Sequence, residues 1–182
     1  FLLPSFVFES SSFYCTTGVN FLFLTSPIYM LTSVLRDIHS IDYRDECLYE
    51  LKMKGFVPVL AHIERYFHDG LDYSIIDHWL DMGCVLQMNR TSILGVNGKK
   101  IQSNALELLD NGYCDVICTD THRASGNRIE QLSDVYSVVS KRIGSENADI
   151  LFYENPKLLL SDKEILNIEV EKKKKLFGFF GR

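Results

Sequence analysis

From residue 43 onward, apolar positions recur in two alternating rhythms. Tyr43, Cys47, Leu48 and Leu51 have helical spacing, and Gly55 follows as a stop. Phe56 to Ala61 is a short apolar run that predicts a strand. Ile75, Ile76, Trp79 and Leu80 give one face of a second helix that ends near Gly83, and Cys84 to Met88 reads as a second strand. Ile101, Ala105, Leu108 and Leu109 mark a third helix closed by Asn111-Gly112, and Asp115 to Thr119 reads as a third strand. Ile129, Leu132, Val135, Tyr136 and Val139 form the apolar stripe of a fourth helix. Short buried strands alternating with helices predict an α/β fold, with a parallel sheet or barrel covered by helices.

The first 42 residues follow neither rhythm. Ser10 to Leu35 contains no charged residue. Val19 to Leu35 could be read as a membrane span, but Asn20, Pro27 and several Ser and Thr interrupt it. A span needs about 20 mostly apolar residues, so a buried strand followed by a loop is the better reading. The chain begins with Phe1, which reads as a fragment or a processed product, and no basic stretch precedes the first apolar residues as in a secretory signal.

Composition narrows the class. The 182 residues suggest one domain, 46% hydrophobic and 24% charged. A net charge of −5 gives no reason to expect a nucleic-acid partner. The five cysteines, Cys15, Cys47, Cys84, Cys114 and Cys118, are odd in number and lack CxxC spacing. Buried free thiols in a reducing cytoplasm explain them better than disulfides or zinc.

In such folds, chemistry gathers where loops leave the C-terminal ends of strands. The first strand runs into Ala61-His62-Ile63-Glu64-Arg65, the second into Gln87-Met88-Asn89-Arg90, and the third into Thr119-Asp120-Thr121-His122-Arg123. Asp120 and His122, two apart in extended backbone, point to one side and suit a divalent metal. Equally, Asp120 is a cap and His122 a surface loop residue. His62, at an equivalent strand end, is a third candidate ligand. Arg65 fits a bidentate contact to an anionic oxygen, or a salt bridge with Glu64. Arg128 opens the fourth helix, where it does not help the helix dipole and so suggests an anion nearby, with Arg123 as a competitor. Glu64 reads as structural. Asn89 and Arg90 either line the pocket or order the loop before Gly95. His39, His68 and His78 read as ordinary surface or helix residues. The tail EKKKKLFGFFGR, residues 171–182, suits an anionic membrane surface or a partner, or frays into solvent.

Several stretches in order carry a resemblance. LYELKMKGFVPVLAHIERY, Leu48 to Tyr66, is similar to the segment of capsular-polysaccharide tyrosine-protein phosphatases that ends in an AHPER-like motif. LLDNGYCDVICTDTHR resembles that family's strand ending in Ser/Thr-Asp-x-His, and LGVNGKK, Leu94 to Lys100, its Gly-rich loop. YENPKLLLSDKEI and the basic, Phe-rich end also fit. The resemblance covers roughly residues 43–182, is weak over 20–42 and absent before.

It implies a metal-dependent protein-tyrosine phosphatase of the PHP (polymerase and histidinol phosphatase) superfamily. The expected fold is an incomplete, distorted (β/α)7 PHP-type barrel missing its N-terminal strands. Residues 1–42 would be a divergent or truncated segment, 43–168 the barrel portion and 169–182 the tail. By motif, His62, Asp120 and His122 would ligate manganese or another divalent metal, Arg65 and Arg128 would be catalytic, and both with Asn89 would bind substrate. The implied partner is an autophosphorylating bacterial tyrosine kinase or its phosphotyrosine tail, in the cytoplasm, with peripheral membrane contact through the tail.

Departures from the pattern are specific. The family's opening His-x-His is nowhere in the sequence. An acidic ligand is expected on the strand before the first helix. If Phe21 to Pro27 is that strand, neutral Thr25 stands in its place. Ile63 replaces the Pro of AHPER, and His122 to Arg128 is one residue longer than expected. These departures predict little or no activity for this chain, leaving a non-catalytic docking remnant as the second reading and another PHP phosphoesterase as the third.

Overall fold

A computed structural model describes residues 45–119, 121 and 131–170, together with the backbone of 12–14, 20–23, 30–33 and 41–44. The strands are β1 (Ser12–Tyr14), β2 (Asn20–Phe23), β3 (Met30–Ser33), β4 (Val57–Ala61), β5 (Val85–Asn89) and β6 (Val116–Cys118). They form one sheet in chain order. The β1–β2 and β2–β3 pairs are antiparallel, and β3 through β6 are parallel. The helices are α1 (Ile41–Met53), α2 (Tyr73–Asp81), α3 (Arg90–Ile93), α4 (Lys99–Asp110), α5 (Ser133–Ile143), α6 (Ser145–Asp149) and α7 (Asn155–Leu160).

The expected α/β alternation is therefore present from α1 to α5. Ile129 of the predicted fourth-helix stripe lies outside the described residues, and Leu132 caps α5 rather than sitting inside it. The strand directly ahead of α1, and paired with β4, is Met30–Ser33. The expected assignment of Phe21 to Pro27 to that position does not hold: Asn20–Phe23 runs antiparallel, one strand further out. Thr25 lies outside the described residues. Among the described residues no helix is long and apolar enough to cross a membrane.

Parallel strands are covered on both faces, which is why β4 and β5 are almost wholly buried. The two faces differ. Register pairs Leu60 with Leu86 and Met88 with Ile117 on one side. That side meets the main core, with Leu48 of α1, Ile76 and Trp79 of α2, Leu108 and Leu109 of α4, and Val135 and Val139 of α5. On the other side Val59, Val85 and Val116 pack with Leu159 of α7. Trp79 is fully buried, donates Nε1–H to Asp45 Oδ1 at 2.9 Å, and meets Tyr66 edge-on.

Local chemistry explains the helix ends. Asp72 caps α2 by accepting the Ser74 and Ile75 N–H groups. Gly112, at φ +78°, closes α4 while Tyr113 N–H reaches back to Leu108 O. Pro156 sits in the first turn of α7 and can donate no backbone hydrogen bond. The widened turn Ile150–Glu154 immediately before it absorbs that break, so α6 and α7 run on as one bent helical stretch.

Beyond α7 the chain runs without regular structure along the domain and is held by two asparagines. Asn155, fully buried, donates to Asp115 O and Leu166 O at 2.9 Å each and accepts from Leu166 N–H at 2.8 Å. Asn147 makes the matching pair with Glu169, at 2.8 and 3.2 Å. Ile168 and Val170 pack on the main core.

Candidate active site

β4 ends at Ala61, and the chain turns sharply at His62, whose φ of 62° and ψ of 40° are left-handed. This conformation is uncommon for a non-glycine residue and tolerated better by His than by branched residues. The turn is fixed from β5: His62 N–H donates to Gln87 Oε1 at 3.0 Å. Gln87 Nε2 in turn donates to Met88 O at 2.6 Å and Asn89 Oδ1 at 2.9 Å. A polar side chain inside an apolar strand thus clamps the ends of β4 and β5 together. The His62 ring is half-buried, with Nδ1 out of solvent.

A single helical turn, Ile63–Arg65, follows. Ile63 fills the core where the motif has Pro. Glu64 is fully buried. Burial pushes its carboxyl above the usual range, opposed by the nearby Ser92 hydroxyl, its own and Asn89's backbone, and the Arg65 charge. Yet neither Glu64 oxygen has a hydrogen-bond donor in place among the described residues. Arg65 Nε lies 3.6 Å from Glu64 Oε1, and Arg65 Nη2 donates to Ser92 Oγ at 3.5 Å. The salt bridge between Arg65 and Glu64 that the sequence offered is therefore present, at long range. The surroundings are firm: Asn104 Nδ2 donates to Glu64 O and Phe67 O, and Asn97 Nδ2 donates to Thr91 Oγ1 and Ser92 Oγ.

Asn89 is fully buried at the end of β5, its amide oxygen engaged by Gln87. Arg90 opens α3 and turns to α5. Its Nε donates to Asp134 Oδ1 at 2.9 Å, and Nη2 reaches Oδ2 of the same carboxylate. Each raises or lowers the other as expected, Arg90 upward and Asp134 downward, chiefly through these bonds. Arg90 therefore orders the loop and locks it to α5. Asp120, His122, Arg123 and Arg128 lie outside the described residues. The strand that leads to them, β6, ends at half-buried Cys118 beside Asn89, and Thr121 Oγ1 donates to Thr119 Oγ1 at 2.7 Å. His68 is exposed, His78 Nε2 is 3.3 Å from Asp45 Oδ2, and His39 is outside the described residues.

Among the described residues no three His, Cys, Asp or Glu side chains come together as a metal-binding group. Of the three expected ligands only His62 lies among the described residues, and its imidazole is a donor that divalent transition metals accept. It stands on a constrained backbone at the end of β4, and β6 is the strand that precedes Asp120 and His122 in the sequence. Ser92 and Asn104 were not singled out from sequence, and the bonds of Gln87 and Asn97 were not foreseen. The available signal was Gln87 and Asn89, two apart in an otherwise apolar strand, since buried polar groups there must be paired.

The profile described as capsular polysaccharide synthesis, CpsB/CapC, matches residues 19–161. This chain belongs to the CpsB/CapC family. Tyrosine-protein phosphatase YwqE of Bacillus subtilis is 30% identical over 140 residues, 76% of this chain and 54% of that protein. Tyrosine-protein phosphatase CpsB of Streptococcus pneumoniae is 30% identical over 125 residues, 65% of this chain and 50% of that protein. The fold matches a solved chain from the structures of YwqE and the pneumococcal CpsB, described as unique metal-dependent tyrosine phosphatases. The TM-score is 0.63 at 28% identity, covering 74% of this chain and 55% of that one. This CpsB/CapC chain thus spans about half the length of the curated relatives it matches. The family match begins at residue 19, well before the motif-bearing region from residue 43, and so takes in β2 and β3.

Proposed function

We propose that this chain carries the C-terminal part of a metal-dependent protein-tyrosine phosphatase acting on phosphotyrosine of a cognate bacterial tyrosine kinase in capsule or exopolysaccharide assembly. The observation that supports it most is the joining of β4 and β5 at one rim, with His62 on Gln87 and Arg65 on Ser92. His62, Asp120 and His122 would hold the metal, with manganese the first choice, at the mouth of a partial PHP-type barrel over 43–168. A divalent cation there supplies Lewis-acid polarisation of the phosphoryl group and an activated water at neutral pH. Arg65 binds phosphoryl oxygens and offsets the charge that grows on them, with Arg128 as a second donor. Asn89 supports the pocket wall through Gln87. Catalysis by this chain alone is weak, because the sequence holds no His-x-His.

The same absence favours a second reading, a non-catalytic remnant that docks on the kinase or a cytoplasmic membrane face through residues 171–182. Purified chain with manganese, assayed on a phosphotyrosine peptide beside a calorimetric metal titration, separates the two. Saturable manganese binding lost in His62→Ala supports the phosphatase site, and slow turnover lost in Asp120→Ala supports residual catalysis. No metal binding by the wild-type chain would remove the metal site. Equal recovery of the kinase with and without the tail would remove docking through it.

A further inference from the structure

The Glu64 carboxylate and the Arg65 Nε are each buried without a hydrogen-bond partner among the described residues, and they face each other at 3.6 Å. Removing a carboxylate from water is costly, and here the Ser92 hydroxyl, nearby backbone N–H groups and the Arg65 charge offset that cost only in part. A core position would be served better by a neutral side chain, so this arrangement needs a reason. The neighbourhood supplies one. Nε is turned toward Glu64 and Nη2 toward Ser92, so the guanidinium plane is held from two sides. Ser92 is itself held by Asn97, and the Glu64 backbone by Asn104. Nη1 is the nitrogen that neither Glu64 nor Ser92 engages. Both contacts to Arg65 are long, as such bonds often are before a ligand arrives and tightens them.

We propose that Glu64 is a positioning residue that, together with Ser92, orients the Arg65 guanidinium toward a phosphoryl group at the strand-end rim. This deepens the phosphatase reading and rests on it. Glu64 touches no substrate and acts through Arg65, which a conservative amide cannot imitate because it carries no charge.

The test uses the full chain with manganese, free phosphotyrosine as ligand, and the variants E64Q, R65A and E64Q/R65A. Arginine side-chain NMR follows the Arg65 Nε–H signal directly. In the wild type that signal is resolved and slow to exchange with water, and in E64Q it merges with exposed arginines while the backbone spectrum is kept. The phosphotyrosine Kd rises about fivefold in E64Q and about tenfold in R65A, and the double variant matches R65A because the two act as one unit. An unchanged Nε–H signal in E64Q, or losses that multiply in the double variant, would overturn the inference. If R65A weakens binding and E64Q does not, the positioning role alone falls. If the wild type binds no phosphotyrosine although Nε–H responds to E64Q, the phosphatase reading falls and takes the named ligand with it.

Discussion

The two sides of the parallel strands are both covered by apolar side chains, and they part company toward the C-terminal rim. Leu60, Leu86, Met88 and Ile117 meet a continuous apolar core. One residue along, Ala61, Gln87, Asn89 and Cys118 face the other way, and the loops that follow bury Glu64, Arg90, Thr91 and Ser92. The first side gains stability from every side chain. The rim of the second side instead holds buried polar groups whose bonds chiefly fix positions there. Burial alone therefore does not distinguish core from site, but the chemistry of what is buried does.

Removing Trp79 tests the apolar side most severely. Trp79→Ala empties a fully enclosed volume and removes the indole N–H bonded to Asp45 Oδ1, and should cost about 4 kcal/mol in denaturant unfolding. A loss under about 1 kcal/mol would mean that this helix face is not structural. Gln87→Leu keeps the volume and removes the clamp, deleting the acceptor of His62 N–H and the donor to Asn89 Oδ1. It should cost about 2 kcal/mol, and hydrogen exchange at His62 should rise.

Asp115 sharpens the contrast through pH. Its Oδ2 accepts Leu86 N–H at 2.7 Å, and burial raises its pKa from 3.8 to about 6. The folded state binds this proton more tightly than the unfolded chain. Its stabilising contribution is therefore complete below pH 3.8 and is lost as pH rises through about 6. Asp115→Asn keeps the acceptor and removes the titration. Its unfolding free energy should gain on wild type by roughly 2 kcal/mol between pH 4 and 7. A constant difference across that range would disprove the assignment.

The smallest effect separates stability from function at a single residue. His62→Gly relieves a left-handed backbone and should raise stability by about 1 kcal/mol or leave it level. The same variant should lose manganese binding in calorimetry. A destabilised Gly variant would mean that the imidazole is mainly a packing group.

Much of this division could be read from sequence. Periodicity located α2, α4 and α5 because each buries one clean stripe, such as Val135 and Val139, and α1 through Cys47, Leu48 and Leu51 ahead of the Gly55 stop. It located β4, β5 and β6 because both their faces are covered. The loops where His62 and Arg65 sit followed from strand ends. The helical stretch 145–160 escaped notice because Pro156 and the wide turn Ile150–Glu154 shift its period mid-course. The clamp at Gln87 escaped because its partner is a backbone N–H 25 residues away, which no local pattern records. Glu64 was read as structural from its type and place, and only its burial beside Arg65 gives it a task.

The paired asparagines have a practical consequence. With Asn155 and Asn147 holding Leu166 and Glu169, the described chain ends at Val170, whose side chain would come within 4.0 Å of a Cβ at Gly112. Gly112 lies ahead of β6, at the end of the sheet remote from His62 and Arg65. The last described residues are thus moored on the face opposite that rim. A dye or an affinity handle placed at Val170 would therefore sit away from the His62 and Arg65 rim.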